Sequence, residues 1–309
     1  MGRTRRRLTV TGLRVVVVGD VIDDILVTPH GPVRDDTDTT STIVRRPGGS
    51  ASNTAAWLGW LGTPVDMVGR VGAGDQEWHA SALRASGVTP HLSEDPDRGT
   101  GTIVIIVDGE KRTMLTDRGA NATLSPSAVT DALLDDAAHL HLTGYTLFDA
   151  LEAESFAQLL QRAHAREVMV SLDPGSAGFL ADYGVERFLA DTAGVDLVLP
   201  NRAEALLLVG AGAAEPTNVE LAEALREYAP AIVLTSGAAG VVIARRQEAS
   251  VTVPVSAVTP TDPTGAGDAF SAGFLHGVVS GRGWREAAEL GVQTAQKAVT
   301  LRGGRPPSV

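Results

Sequence analysis

The sequence predicts an α/β fold, a parallel sheet covered by helices with a small accessory sheet beside it. Three observations carry this. The first apolar run, Leu13 to Val18, is continuous and β-branched, as in a strand buried on both faces. From about residue 126 onward, strand-like runs alternate with helix-like segments. Between these regions lie short strand-like pieces that break the alternation. They occupy residues 24–28, 41–46, 100–107 and 112–116, the last two flanking the hairpin signal Asp108-Gly109. In order, residues 50–61 read as a helix stopped by Gly62, Val65 to Val71 as a strand, and Gln76 to Ser86 as a helix ended by Gly87. Helices follow near 126–135, 152–165, 201–209, 218–228, 267–279 and 284–300. Strands follow near 138–143, 168–172, 195–199, 231–235, 240–244 and 250–253. No linker or repeat divides the chain, which reads as one unit over 1–309 with a lid drawn from about 24–46 and 100–116.

Composition excludes several function classes. The net charge is −11 and the pI about 5.1, against broad nucleic-acid or acidic-membrane binding. There is no cysteine, hence no disulfide, thiolate nucleophile or thiolate metal site, which fits a cytoplasmic protein. Arg3, Arg5, Arg6 and Arg7 suggest an export signal, but the apolar run after them is too short, and they read as a basic tail. No stretch approaches the length needed to span a membrane. Glycine supplies 34 of 309 residues, above the usual share of about 7%. Lysine is confined to Lys111 and Lys297, so anion chemistry must rest on arginine, metal ions or backbone N–H groups.

Thr261-Asp262-Pro263-Thr264-Gly265-Ala266-Gly267-Asp268-Ala269-Phe270 is the most informative stretch. A tight glycine loop opening a helix presents free N–H donors and a partial positive charge, suited to phosphate. Asp268, at the mouth of that helix, is placed to take a proton from a substrate hydroxyl. The alternative is an Asp that merely caps the helix. No GxxxxGK[ST] sequence occurs, and position 270 is Phe where a dinucleotide fingerprint needs glycine.

A second glycine pair lies upstream in Arg46-Pro47-Gly48-Gly49-Ser50-Ala51-Ser52-Asn53. With the GAGD segment it resembles the two signature motifs of the ribokinase-like (PfkB) carbohydrate kinase family. Gly19-Asp20 to Asp24, Gly69-Arg70-Val71-Gly72, Pro200-Asn201-Arg202-Ala203-Glu204 and Thr235-Ser236-Gly237 are similar to further elements of that family, in the same order. The resemblance implies a three-layer sandwich with a β-sheet lid. It implies a cytoplasmic kinase that uses ATP and Mg²⁺ on a hydroxyl of a sugar or nucleoside. Asp268 then matches the catalytic base and Gly265, Ala266 and Gly267 the anion hole. Asp24, Gly48, Gly49 and Asn53 match the substrate contacts. Asn201, Glu204, Thr235 and Gly237 match the nucleotide and Mg²⁺ contacts, although Asn-x-x-Glu is also a capping box. Asp262 falls where some members bind a monovalent cation such as K⁺. Many members pair their lids in a homodimer.

Ser50 stands where ribokinases proper and phosphosugar kinases carry lysine, which disfavours ribose and sugar phosphates. The lid contains no Phe, Tyr or Trp to stack on a nucleobase. The expected acceptor is therefore an unphosphorylated sugar, with a nucleoside as the alternative and a non-catalytic sugar or nucleotide sensor behind both. His139 and His141 share a strand face and suggest a metal pair without a third ligand. Arg112 reads as a solvated lid residue, and the four tryptophans as packing residues.

Overall fold

The computed structural model describes residues 14–108, 111–146, 153–212 and 215–307. The arginine-rich start, Gly109 of the expected hairpin turn and the Arg112 side chain lie outside the described part. The first half contains β1 (Val15–Val18), β2 (Ile22–Pro29), β3 (Ser41–Gly48), α1 (Ser50–Trp60), β4 (Val65–Gly72), α2 (Gln76–Arg84), β5 (Val88–Asp95), β6 (Gly101–Asp108), β7 (Lys111–Asp117), α3 (Asp131–Asp135) and β8 (His139–Thr143). Next come α4 (Ala153–Ala165), β9 (Met169–Asp173), α5 (Ala177–Tyr183), α6 (Val185–Asp191), β10 (Leu197–Val198), α7 (Arg202–Val209) and α8 (Asn218–Ala224). The chain closes with β11 (Ala231–Thr235), β12 (Val241–Arg245), β13 (Val251–Val253), α9 (Ala266–Val279) and α10 (Trp284–Val299).

The main sheet runs β13-β12-β11-β10-β9-β8-β1-β4-β5 and the second β3-β2-β6-β7. The main sheet is parallel except where β12 meets β11 and β13. Strand β1 shows why the fold has three layers. Val15 and Val17 enter a core with Trp57 and Phe274, whereas Val16 and Val18 enter one with Phe156 and Phe188. Each buried valine contributes about 1.5–3 kcal/mol. Helices α9 and α10 pack closely because Gly273 and Gly277 face them: a Cβ on Gly277 would lie 2.7 Å from Ala287 Cα.

The small sheet is built from Ile22–Pro29, Ser41–Gly48, Gly101–Asp108 and Lys111–Asp117, which overlap the strand-like pieces expected there. Several elements depart from the sequence expectation. β5 was not expected because Pro90 interrupts it; it is an edge strand, where proline is tolerated. α5 and α6 are single short helices separated by Gly184, too brief for a clear helical period. The helix expected over 126–135 divides into a 3-10 turn at Pro126–Ala128 and the short α3. No helix among the described residues is long and apolar enough to cross a membrane.

Candidate active site

In an open parallel sheet, ligands gather beyond the carboxyl ends of the strands, where the chain order reverses. Here β1 lies between β4 on one side and β8 on the other. Gly19-Asp20 leaves β1, Asp173 ends β9 and Thr235 ends β11, which is bridged to Asn201. The lid rises from the same edge, since β2 begins three residues after Gly19.

Helix α9 starts at Gly265, whose φ of 73° is left-handed and suits glycine. A side chain is also barred there, because its Cβ would lie 2.5 Å from Gly304 Cα. Asp268 sits in the first turn and accepts hydrogen bonds from Ser50 Oγ (2.7 Å) and Asn53 Nδ2 (3.0 Å). The two glycine motifs, far apart in sequence, thus meet at one carboxylate. Burial raises Asp268 to about 7; the Asn53 and Ser50 hydrogen bonds oppose this, and the charges of Asp173 and Asp20 add to it.

Asp20 organises the other motif. Its carboxylate accepts from the backbone N–H groups of Ser50 (2.7 Å) and Ala51 (3.1 Å), so it caps α1 from a distant loop. Gly49 has φ 100°, and its Cβ would lie 2.5 Å from the Asp20 carbonyl oxygen. Asp23 is ion-paired with Arg45 at 2.6 Å, and its other oxygen lies 3.3 Å from His79 Nε2. Asp20 is therefore a cap carboxylate, whereas Asp23 is a strand residue of β2 held by Arg45. Asp24 differs: it is 8% exposed and accepts no hydrogen bond from the described residues. Burial raises it to about 7, with the arginines 305 and 46 opposing and Asp20 and Asp23 adding. The missing side chain of Gly48 leaves room for its carboxylate.

Asn201 and Glu204 form a full capping box on α7, and they also line a pocket of about 100 Å³ with Ser50, Asp173, Gly267 and Asp268. The capping role is thus observed, and the same two side chains face the pocket. Asp173 was missed by sequence reasoning. Burial raises both Asp173 and Glu204, and the charge of Glu204 raises Asp173 further. The available signal was position: Asp173-Pro174-Gly175 leaves the end of a parallel strand. A cavity of about 600 Å³ adjoins this pocket, sharing Thr235 and Gly267 and adding Gly237, Val255, Val258 and Val299. Its apolar walls were also missed, because they come from an irregular segment and from α10.

The segment 302–307 forms a strap over α1 and the turn that opens α9. Trp57 Nε1 donates to the Gly304 carbonyl (2.9 Å), and Arg46 Nη1 to that of Arg302 (2.8 Å). Asp262 binds the strap through the Gly303 N–H (3.0 Å) and its own loop through the Thr264 N–H (2.9 Å). Arg305 reaches Ser52 Oγ (3.0 Å) and Asn53 Oδ1 (3.4 Å). No motif announced Arg305. His139 and His141 both bond Ser171 Oγ, burial pushes each down to about 3, and no group of three or more His, Asp or Glu side chains placed to hold a metal occurs among the described residues. Trp57 is a packing residue, but Trp78 is 37% exposed beneath the Arg45 guanidinium.

Residues 13–309 match the model of the pfkB family carbohydrate kinases, and the chain belongs to that family. It is 25% identical to a ribokinase of Bacillus subtilis over 301 residues, covering 94% of this chain and 96% of the relative. It is 27% identical to a cytidine kinase of Thermococcus kodakarensis, covering 93% and 96%. Among solved structures, the adenosine kinase from Sinorhizobium meliloti matches with a TM-score of 0.83 and 28% identity, covering 96% of both chains. The fold is ribokinase-like, and the chain is a phosphotransferase of the sugar and nucleoside kinase type.

Proposed function

We propose that this enzyme transfers the γ-phosphoryl group of ATP to a hydroxyl of an unphosphorylated sugar. The observation that carries the reading is Asp268, a carboxylate raised to about 7 where α9 opens. A base of that strength suits proton abstraction near neutral pH. Ser50 Oγ and Asn53 Nδ2 occupy its oxygens, and an incoming hydroxyl replaces one of them. Asp24, Gly48, Gly49 and Asn53 hold the acceptor. The N–H groups of the Gly265, Ala266 and Gly267 turn face the charge that develops on the transferring group. The apolar cavity with Thr235 and Gly237 fits a nucleotide base. Asp173, Asn201 and Glu204 fit Mg²⁺, since raised, crowded carboxylates are relieved by a cation. Bound there, Mg²⁺ supplies neutralisation of phosphate charge.

The whole chain acts as one unit, with β2, β3, β6 and β7 closing over the acceptor to exclude water. Ile43 on β3 and Met114 and Leu115 on β7 are 64%, 55% and 56% exposed. These apolar residues on the lid's edge strands support a homodimer formed through the lid. Consumption of ATP fits a cytoplasmic location. Asp262 stays a candidate neighbour of K⁺, although both its oxygens already accept backbone N–H groups.

The lid strands lack Phe, Tyr and Trp, which favours a sugar over a nucleobase. A panel of free sugars and nucleosides read by ADP release tests this. The reading expects sugars to be turned over best; nucleosides better by a hundredfold would overturn it.

A further inference from the structure

The acceptor side holds more positive charge than its own carboxylate balances. Asp24 on β2 is the cross-strand partner of Arg46 on β3, so the two side chains share one lid face. Arg305 approaches from the strap, and its main charge partner is Asp24. Neither arginine is within ion-pairing distance of a carboxylate among the described residues, whereas Arg45, next to Arg46, pairs with Asp23 and Asp75. Arg46 donates only to a backbone carbonyl. Arg305 donates to two neutral acceptors, and its Nη1 is buried with no partner. Burial lowers Arg305 to about 10, with the charge of Asp24 opposing. A desolvated cation with an unused N–H is costly unless a ligand completes it.

Resting on the sugar-kinase reading above, we propose that the acceptor is an acidic sugar, one bearing a carboxylate, and that Arg305 is the residue that selects it. Two guanidinium groups against Asp24 leave one positive charge, which one substrate carboxylate neutralises. A phosphate dianion would overshoot that balance. The hydroxyls of the same sugar bond Asp24, and its carboxylate accepts from Arg305 Nη1. Arg46, on the moving lid, adds its charge when the lid closes. The roles divide by chemistry: carboxylate oxygens read hydroxyls, and the guanidinium reads an acceptor without protons.

The test pairs acids with their neutral counterparts. Gluconate, galactonate and glucuronate are compared with glucose, galactose and glucitol as acceptors, with ATP and Mg²⁺ present. The proposal expects at least one acid to exceed its counterparts about tenfold in kcat/KM, the usual scale of a charge-assisted bond. Arg305→Gln should then lower kcat/KM for that acid about 10- to 100-fold, mostly through KM. It should lower the neutral sugars by a clearly smaller factor and leave the KM for ATP unaltered. Arg305→Lys should restore part of the loss. Calorimetric titration of the acid onto each variant, without nucleotide, should show the same order. Thermal unfolding separates a misfolded variant from a selective one. Equal losses for acids and neutral sugars, a preference for neutral sugars, or a preference for glucose 6-phosphate would overturn the proposal. The first two leave the sugar-kinase reading standing; turnover confined to nucleosides would remove both.

Discussion

Two glycines of one turn should fail in different ways when replaced by alanine. Gly265 has φ 73°, and a Cβ there would lie 2.5 Å from Gly304 Cα and 2.8 Å from its carbonyl oxygen. The left-handed backbone costs a residue with a side chain about 1–2 kcal/mol. The clash is with backbone, so the strap must move and the buried Trp57 Nε1 to Gly304 bond loosens. An unsatisfied buried group costs about 1–3 kcal/mol more. The sum, about 2–5 kcal/mol, corresponds to a fall in Tm of about 3–8 °C for a domain of this size. Displacement of the turn should also lower kcat about 10²–10³-fold, the usual worth of an oxyanion donor. Gly267→Ala is the control. Its Cβ would meet nothing within 4 Å, so Tm should stay within about 2 °C. That side chain enters the pocket beside Asp268 and should raise the KM for ATP instead. Calorimetric unfolding and steady-state kinetics on both variants check this. An unchanged Tm for Gly265→Ala, or a loss of stability without a nucleotide effect in Gly267→Ala, would refute the reasoning.

Further outcomes follow from the same geometry. Asp268 must be ionised to act, so kcat/KM should rise about tenfold between pH 6 and 8 and level off above. Its folded value of about 7 lies above the ordinary 3.8, so the stability present at pH 4 is lost as pH rises towards 7. Asp268→Asn should therefore raise Tm at pH 8 and leave it nearly unchanged at pH 4, as differential scanning calorimetry would show. Gly48→Ala pushes a Cβ into the Asp24 carboxylate and should raise the KM for the acceptor at least tenfold, with little change for ATP. Asn201→Ala removes the cap on α7, costing about 1 kcal/mol in chemical denaturation, and should raise the Mg²⁺ concentration needed for half-maximal rate. Ile43→Lys should leave a monomer in light scattering if the lids pair.

Much of the fold was legible because its strongest elements obey simple periods. Val15–Val18 is buried on both faces, and α9 is buried along most of its length, so hydrophobicity alone marked them. The lid strands were visible through a turn dipeptide and broken alternation. β5 was hidden because an edge strand needs neither an unbroken apolar run nor freedom from proline. At the site, residues carried by local motifs were found, and residues brought in by topology were not. Asp268 and Asn53 belong to glycine loops. Asp173 belongs only to a strand end, and Arg305 to an irregular strap whose place depends on Gly304 packing against Asn53 and Gly265. Asp262 was singled out by its position, and the structure shows it tying that strap to the α9 loop.

The central claim is that Asp268 is the base of a sugar kinase. It is tested most directly by acceptor-dependent ADP release from wild type and Asp268→Asn, with binding of a non-hydrolysable ATP analogue measured on the same samples. The account predicts a sugar-dependent rate in wild type and a loss of about 10²–10⁴-fold in kcat in the variant, with analogue affinity within about threefold. Near-normal turnover by folded Asp268→Asn would contradict it.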